Sequence, residues 1–347
     1  MAFEITGTGR AVPLRRVTND ELAKEIDTSD EWIRSHTGIS ARHIAGEETA
    51  ASDLAIEAAK KALAMAAGLK EASASTETAM AEEALSLDLI ILATATPDYH
   101  GVPSTACIVQ NKLGAKNAGA VDLVVGCTGF IYALETAAGL LSLGNGRKRV
   151  LVIGTEVLTK FVDWTDRGTC VLFGDGAGAV VLEATAAPRE GFGKRGLIRT
   201  ILGADGSGAE HLFFSRGGSR HPFKAGETID KPCHVKMNGQ AVYNFAVKTI
   251  TETIADIFSR EGISAKDVSR IIPHQANARI VQAAAKRLKI PEEKFFLNIE
   301  KYANTSAASI PIALDELNRA GKIRRGDIIL TIGFGGGLTY GANLIIW

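Results

Sequence analysis

The sequence predicts an α/β protein made of two pseudo-symmetric, duplicated halves, and three observations carry that reading. Short apolar runs of strand length alternate with Ala- and Leu-rich segments of helical period. Three stretches of the first half recur in the second at a nearly constant offset of about 180 residues: 88–94 (DLIILAT) with 268–274 (VSRIIPH), 125–129 (VGCTG) with 302–306 (YANTS), and 150–154 (VLVIG) with 329–333 (ILTIG). A repeat of that period is too long for a solenoid and implies two domains, placed at 1–185 and 186–347. The 347 residues also exceed what one core usually organises. Strands separated by helices predict mainly parallel sheets, with ligands bound at their carboxyl ends.

In chain order, 3–9 reads as a strand and Thr18-Asn19-Asp20-Glu21 as a capped helix start. Residues 28–31 (TSDE) open a second helix that sets Trp32 and His36 four apart on one face. That pair either clasps a flat ligand or is a half-buried Trp with its neighbour. Residues 49–67 form an Ala-rich amphipathic helix, and the small, polar stretch 70–83 reads as an exposed insertion or lengthened helix and loop without chemistry. Buried strands follow at 88–93, 121–125 and 149–154, with a loop at 96–101 and a helix at 103–113 whose Cys107 is assigned to packing. The glycines of 173–183 (FGDGAGAVVLE) do not make a dinucleotide turn, because a strand rather than a helix follows them. Cys170 belongs to the core, and the Cys233-His234 pair lacks zinc spacing, so no metal is expected.

Bulk properties narrow the function classes. The chain is 46% hydrophobic and 22% charged, with 39 basic and 39 acidic residues, so no global field selects nucleic acid or a membrane surface. Four cysteines without paired spacing, and a start that lacks a signal-like apolar stretch, lead us to expect a reducing, cytoplasmic setting. No apolar run approaches the ~20 residues of a membrane span.

The chemistry concentrates on Cys127. An apolar strand, a turn at Gly126 and a helix from Thr128-Gly129 place this thiol at a helix N-terminus, where unpaired N–H groups favour an anion. The expectation is a depressed thiol pKa and a nucleophile. In the second half, His274 ends the strand equivalent to 88–93, and Asn304 sits where Cys127 sits in the first. Residues 334–337 (FGGG) let backbone N–H groups approach a substrate closely. If the halves pack face to face, all of these share one cleft.

The motifs TSDEWI (28–33), CTGFIYAL (127–134), DRGT (166–169), FGDGAGA (173–179), PHQANARI (273–280), NTSAAS (304–309) and FGGG (334–337) resemble, over essentially the whole chain, β-ketoacyl-acyl-carrier-protein synthase III of the thiolase superfamily. The resemblance implies a thiolase-like fold with a layered αβαβα core and a homodimer. It implies a decarboxylative condensation of an acyl-CoA starter, most simply acetyl-CoA, with malonyl-acyl carrier protein, initiating fatty-acid synthesis; the alternative is a relative with another starter in polyketide or secondary metabolism. Cys127, His274 and Asn304 are then catalytic, with the backbone of Cys127 and Gly336 as the oxyanion hole. Trp32, His36, Thr37, Arg167, Gly168 and Asn277 hold CoA, a substrate rather than a bound cofactor; His36 stands where well-studied members carry Arg. Val102, Leu158, Phe173 and Val235 form the acyl pocket, Val102 from a loop that reaches across the dimer. Residues 275–279 (Gln275, Ala276, Asn277, Ala278, Arg279) with Lys286 and Arg287 meet the acyl carrier protein. The three cations are either a basic patch for an acidic partner or an ordinary solvated face.

Overall fold

The computed structural model describes residues 2–69, 77–185, 196–227 and 233–347. The first large sheet contains β1 (Ala2–Ala11), β4 (Leu89–Ala93), β5 (Gly119–Leu123), β6 (Arg149–Glu156) and β7 (Gly176–Thr185), in the order β1-β7-β6-β4-β5. Between β1 and β4 lies a small ribbon of β2 (Arg16–Thr18) and β3 (Ala41–His43). The second large sheet contains β8 (Gly196–Ala204), β11 (Arg270–Pro273), β12 (Ile328–Gly335) and β13 (Thr339–Ile346), in the order β11-β12-β13-β8. A second ribbon pairs β9 (Leu212–Phe214) with β10 (Val235–Met237).

Alternation along the strands builds the layers. On β4 and β6, Ile91, Val150 and Val152 face inward to helices Gly129–Ser142 and Ser309–Arg319, while Ile90, Leu92, Leu151 and Ile153 face outward to helix Ala51–Ala66 and helix Thr105–Leu113. The two inner helices also bury Ile272, Ile329 and Ile345 of the second sheet, whose outer face carries helices Gly239–Glu261 and Ala278–Leu288. The order is helix, sheet, helix, sheet, helix, as the resemblance implies.

Local rules account for the helix ends. Thr18 and Glu21 cap one another reciprocally. Ser29, Ser104 and Asn277 accept N–H groups at the starts of their helices, the last at the start of helix Ala278–Leu288.

Several expectations are corrected. The sheets are mixed rather than mainly parallel: β4 pairs parallel with β5 and β6, and β11 with β12, but β7 runs against β1 and β6, and β13 against β12 and β8. Three residues join β12 to β13, far too few for a crossover. β5 is an edge strand, so the 121–125 run is not buried, and Val121 and Val124 are exposed. Cys107 is exposed on its helix instead of packed, whereas Cys170 is buried in the core. Of the expected insertion at 70–83, helix Glu77–Leu85 takes the end; 70–76 lies outside the described residues, as does 186–195, where the boundary between halves was placed.

Candidate active site

Cys127 sits in a 3-10 turn, Gly126–Thr128, that leads into helix Gly129–Ser142. Gly126 takes the turn at φ +52°, in the left-handed region. The end of β12 presses on this turn so closely that a Cβ on Gly335 would lie 2.8 Å from the Cys127 Cβ. Bare backbone there lets the N–H groups of Gly336 and of Cys127 itself turn toward the sulfur. Those are the two donors that the resemblance assigns to an oxyanion.

His274 follows β11 and is fixed by its N–H donating to the Ile332 carbonyl at 2.7 Å. Its Nδ1 lies 2.7 Å from the Ser309 hydroxyl at the start of helix Ser309–Arg319. That hydroxyl also accepts the Gln275 N–H at 3.4 Å; with its own proton donated to Nδ1, the ring carries its proton on Nε2. Phe334 packs edge-on against the ring, with centroids 5.4 Å apart.

Asn304 is clipped beside β7's approach: its N–H donates to the Leu172 carbonyl at 2.9 Å, and its carbonyl accepts the Gly174 N–H at 3.0 Å. The side-chain Oδ1 accepts the Ser306 N–H at 2.9 Å, so Nδ2 is the free end of the amide. Both second-half side chains are thus pinned by one atom and offer a donor with the other.

Cys127, His274 and Asn304 line one cavity of ≈ 240 Å³. Trp32, His36, Thr37, Arg167, Gly168 and Asn277 line the same cavity, so all six expected CoA residues share a space with the expected catalytic three. The indole of Trp32 is stacked on the His36 ring, with centroids 4.5 Å apart and planes at 20°, and lies under the Arg167 guanidinium at 4.6 Å. The rings therefore pair with each other here instead of standing apart as a clasp. Thr37 is nearly buried; its hydroxyl donates to the Ile33 carbonyl and accepts the Ile39 N–H. Asn277 Nδ2 donates to the His36 carbonyl, tying the cap of helix Ala278–Leu288 to the Trp32 helix.

A second cavity, of ≈ 280 Å³, also reaches Cys127 and is lined by Leu158, Phe173, Val235 and Phe214. Val102 does not line it; the side chain is 85% exposed on its loop. Among the expected carrier contacts, Arg279, Lys286 and Arg287 all lie on the exposed face of their helix, opposite Ile280, Val281, Ala284 and Ala285. Gln275 is a correction: it is 2% exposed and its side chain satisfies Pro273, Phe296 and Asn298 backbone groups, so it braces the site from inside. Ala276 lines the first cavity, and Ala278 packs against Gly38.

Electrostatics overturn the expected thiolate. Burial pushes the Cys127 thiol up to about 12, against the opposing pull of the Ser306 hydroxyl and the two backbone N–H groups, and the Glu156 charge pushes it the same way as burial. A helix N-terminus does not compensate for the loss of water around a buried sulfur. Burial also lowers His274 to about 3, so the imidazole is neutral. Glu156, wholly buried at the end of β6, is pushed up to about 7 by burial. Sequence reading passed over Glu156, Ser306 and Ser309, although a Glu ending the apolar run VLVIGTE was a visible signal.

Among the described residues no three His, Cys, Asp or Glu side chains gather as a metal site, and no helix is long and apolar enough to cross a membrane.

Comparison with known proteins identifies the relatives of this site. The sequence profile described as 3-Oxoacyl-[acyl-carrier-protein (ACP)] synthase III matches residues 121–206, and that described as its C terminal part matches 258–347. A protein of Caldanaerobacter subterraneus subsp. tengcongensis named Beta-ketoacyl-[acyl-carrier-protein] synthase III is 48% identical, over 100% of this chain and 98% of its own. The crystal structure of 3-oxoacyl-[acyl-carrier-protein] synthase III from Aquifex aeolicus superposes with a TM-score of 0.86 at 45% identity, covering 99% of this chain and 100% of the other. The priming beta-ketosynthase of the R1128 polyketide pathway superposes with a TM-score of 0.85 at 31% identity, covering 99% of this chain and 96% of the other.

Proposed function

Because this chain belongs to the 3-oxoacyl-[acyl-carrier-protein] synthase III family, thiolase-fold acyltransferases of fatty-acid synthesis, we propose that it condenses an acyl-CoA starter, acetyl-CoA in the simplest case, with malonyl-acyl carrier protein. Cys127 attacks the starter thioester and keeps the acyl group while CoA leaves. Malonyl-carrier then enters, loses CO2 and attacks the acyl-cysteine, giving 3-oxoacyl-carrier protein. His274 Nε2–H and Asn304 Nδ2–H donate to the thioester oxygen as enolate charge develops there, and the N–H groups of Cys127 and Gly336 hold the oxyanion of the tetrahedral intermediate. The observation that carries this reading is the shared cavity in which a thiol meets two side-chain donors whose other ends are already tied. A neutral imidazole suits the role, since it is asked to donate a hydrogen bond and not to take a proton.

The first cavity carries CoA, with Trp32, His36 and Arg167 at the adenine end and Asn277 along the passage; CoA comes and goes as substrate. Leu158, Phe173 and Val235 receive the acyl chain. A space of ≈ 280 Å³ is several times that of a two-carbon group, which favours a second reading in which longer starters are also taken. Exposed Val102, Val121 and Val124 support a homodimer in which the Val102 loop closes the partner's pocket. Free thiols and a zero net charge support a cytoplasmic enzyme with no nucleic-acid partner.

Intact-protein mass spectrometry after incubation with a mixture of acyl-CoAs tests the reading. A single acyl increment on Cys127 is expected, and its chain length identifies the starter; no increment with any acyl-CoA overturns the proposal. Arg279→Glu is expected to raise the KM for malonyl-carrier protein about tenfold while leaving the KM for acyl-CoA unchanged, because reversing a docking charge repels an acidic partner. Steady-state kinetics with each substrate varied in turn checks it.

A further inference from the structure

The two N–H groups assigned to the oxyanion come from distant parts of the chain, so their spacing has to be held by contacts between those parts. Cys127 lies in its 3-10 turn, and Gly336 lies in the link from β12 to β13. That link is anchored at both ends. Gly335 is paired with Thr339 in the β12–β13 ladder, and Leu338 exchanges two backbone hydrogen bonds with Asp205, at 2.9 and 2.7 Å. Between these anchors Gly336 and Gly337 have no side chains to pack, and Gly337 holds φ +135°, a conformation suited to glycine. Gly336 nevertheless sits close against the Cys127 turn: a Cβ on Gly126 would lie 3.5 Å from the Gly336 amide nitrogen and 3.6 Å from its carbonyl oxygen.

Two hydroxyls span the gap. That of Thr128, a fully buried residue next to the nucleophile, donates to the Val125 carbonyl at 2.8 Å. It lies 2.8 Å from the Thr339 hydroxyl, which in turn lies 3.0 Å from the Gly336 carbonyl oxygen and 3.4 Å from that of Val125. Whichever of the two oxygens supplies the proton between them, Thr339 Oγ1 joins the Gly336 peptide to the turn that carries Cys127. Among the described residues it is the one side-chain oxygen hydrogen-bonded to Gly336. The Thr339 methyl has a separate place beside Gly337, where a Cβ would come within 2.7 Å of it.

We propose that the Thr128–Thr339 hydroxyl pair is a strap that sets the spacing of the two oxyanion donors, with Thr339 as a positioning residue for the Gly336 N–H. This rests on the oxyanion role given above to Cys127 and Gly336. A donor displaced by a fraction of an ångström still points into the site but stabilises the oxyanion less, so the cost is smaller than that of deleting a donor. The strap matters wherever a tetrahedral oxyanion forms, in acylation of Cys127 and in the final condensation. It does not matter for loss of CO2 from malonyl-carrier protein, where charge develops against His274 and Asn304.

Thr339→Val keeps the shape and the methyl against Gly337 and deletes only the hydroxyl. Rapid-quench intact mass, with the acyl-CoA that best labels Cys127, should show acylation slowed about tenfold at saturation, with the half-saturating concentration unchanged. Release of CO2 from malonyl-carrier protein supplied without starter should keep its unaltered rate. Thr339→Ser returns the hydroxyl and should restore acylation, while Thr128→Val should repeat the defect. Acylation at full rate in Thr339→Val, both steps falling together, or a Ser variant as slow as Val each overturns the strap. Hydrogen exchange over 334–339 reads the strap without acyl-CoA: it should quicken in Thr339→Val and not in Thr339→Ser, and equal exchange in all three proteins overturns the proposal. If the unaltered enzyme takes no acyl group from any acyl-CoA, exchange still decides the strap and it is the proposed function that fails.

Discussion

Cys127→Ala is expected to abolish condensation, lowering kcat/KM on the order of 10³-fold or more, with no acyl increment from any acyl-CoA. The size of the effect follows from what is left behind. The cavity, the donors of His274 and Asn304 and the N–H groups of Gly336 and residue 127 all remain, so the variant still binds substrate and polarises a thioester. What disappears is the atom that carries the acyl group between the two halves of the reaction. Ala fills less space than Cys at a position that is 9% exposed and already crowded by Gly335, so the fold has no reason to change. An unchanged melting temperature beside a lost acyl-enzyme separates chemistry from stability. Retained turnover would show that another group is the nucleophile.

Asn304→Ala ranks next, and it should strike a different step. Removing one preorganised donor from a water-poor site costs about 10²- to 10³-fold. Here the donor is Nδ2, held in place because Oδ1 accepts the Ser306 N–H. Cys127 should still acylate, since its activation does not use the amide, while release of CO2 from malonyl-carrier and formation of 3-oxoacyl product both fall. Asn304→Asp should be worse than Ala, because a carboxylate would face a developing enolate with charge of the same sign. Mass spectrometry of the acyl-enzyme and assay of CO2 release measure the two steps separately. An Asn304→Ala enzyme that fails to acylate yet decarboxylates normally would reverse the assignment.

The legible parts of this molecule were those written as local pattern or as long motif. The apolar runs at 88–93 and 149–154 fall on β4 and β6. The motif residues Cys127, His274 and Asn304 meet in one cavity, and the residues expected to hold CoA line the same space. Strand direction was not legible, because apolar runs look alike whichever way their neighbours point; only the short β12 to β13 link betrays an antiparallel pair. The exposure of Val121 depends on β5 lying at the sheet edge, and strand order is a property of the whole topology. The charge state of Cys127 was misjudged for a similar reason. A helix N-terminus can be recognised from residues 121–130, whereas the burial that outweighs it comes from Gly335, Phe334 and the 304–306 turn, more than 170 residues away in the chain. Glu156 escaped notice because its partners Thr94, Thr96 and Ser306 come from separate segments and only the folded chain collects them.

Helices Gly129–Ser142 and Ser309–Arg319 lie sandwiched between the sheets, and each lends side chains to both. The two sheets are therefore not beads on a string: pulled apart, each would present a raw greasy wall to solvent. Cohesion is mutual, and the turn that carries the sulfur leads into one of the helices caught between them. Sequence drift can remodel the rim and its loops at little cost, but any breathing motion that prises the sheets apart disturbs the cavity around Cys127 before it loosens the periphery.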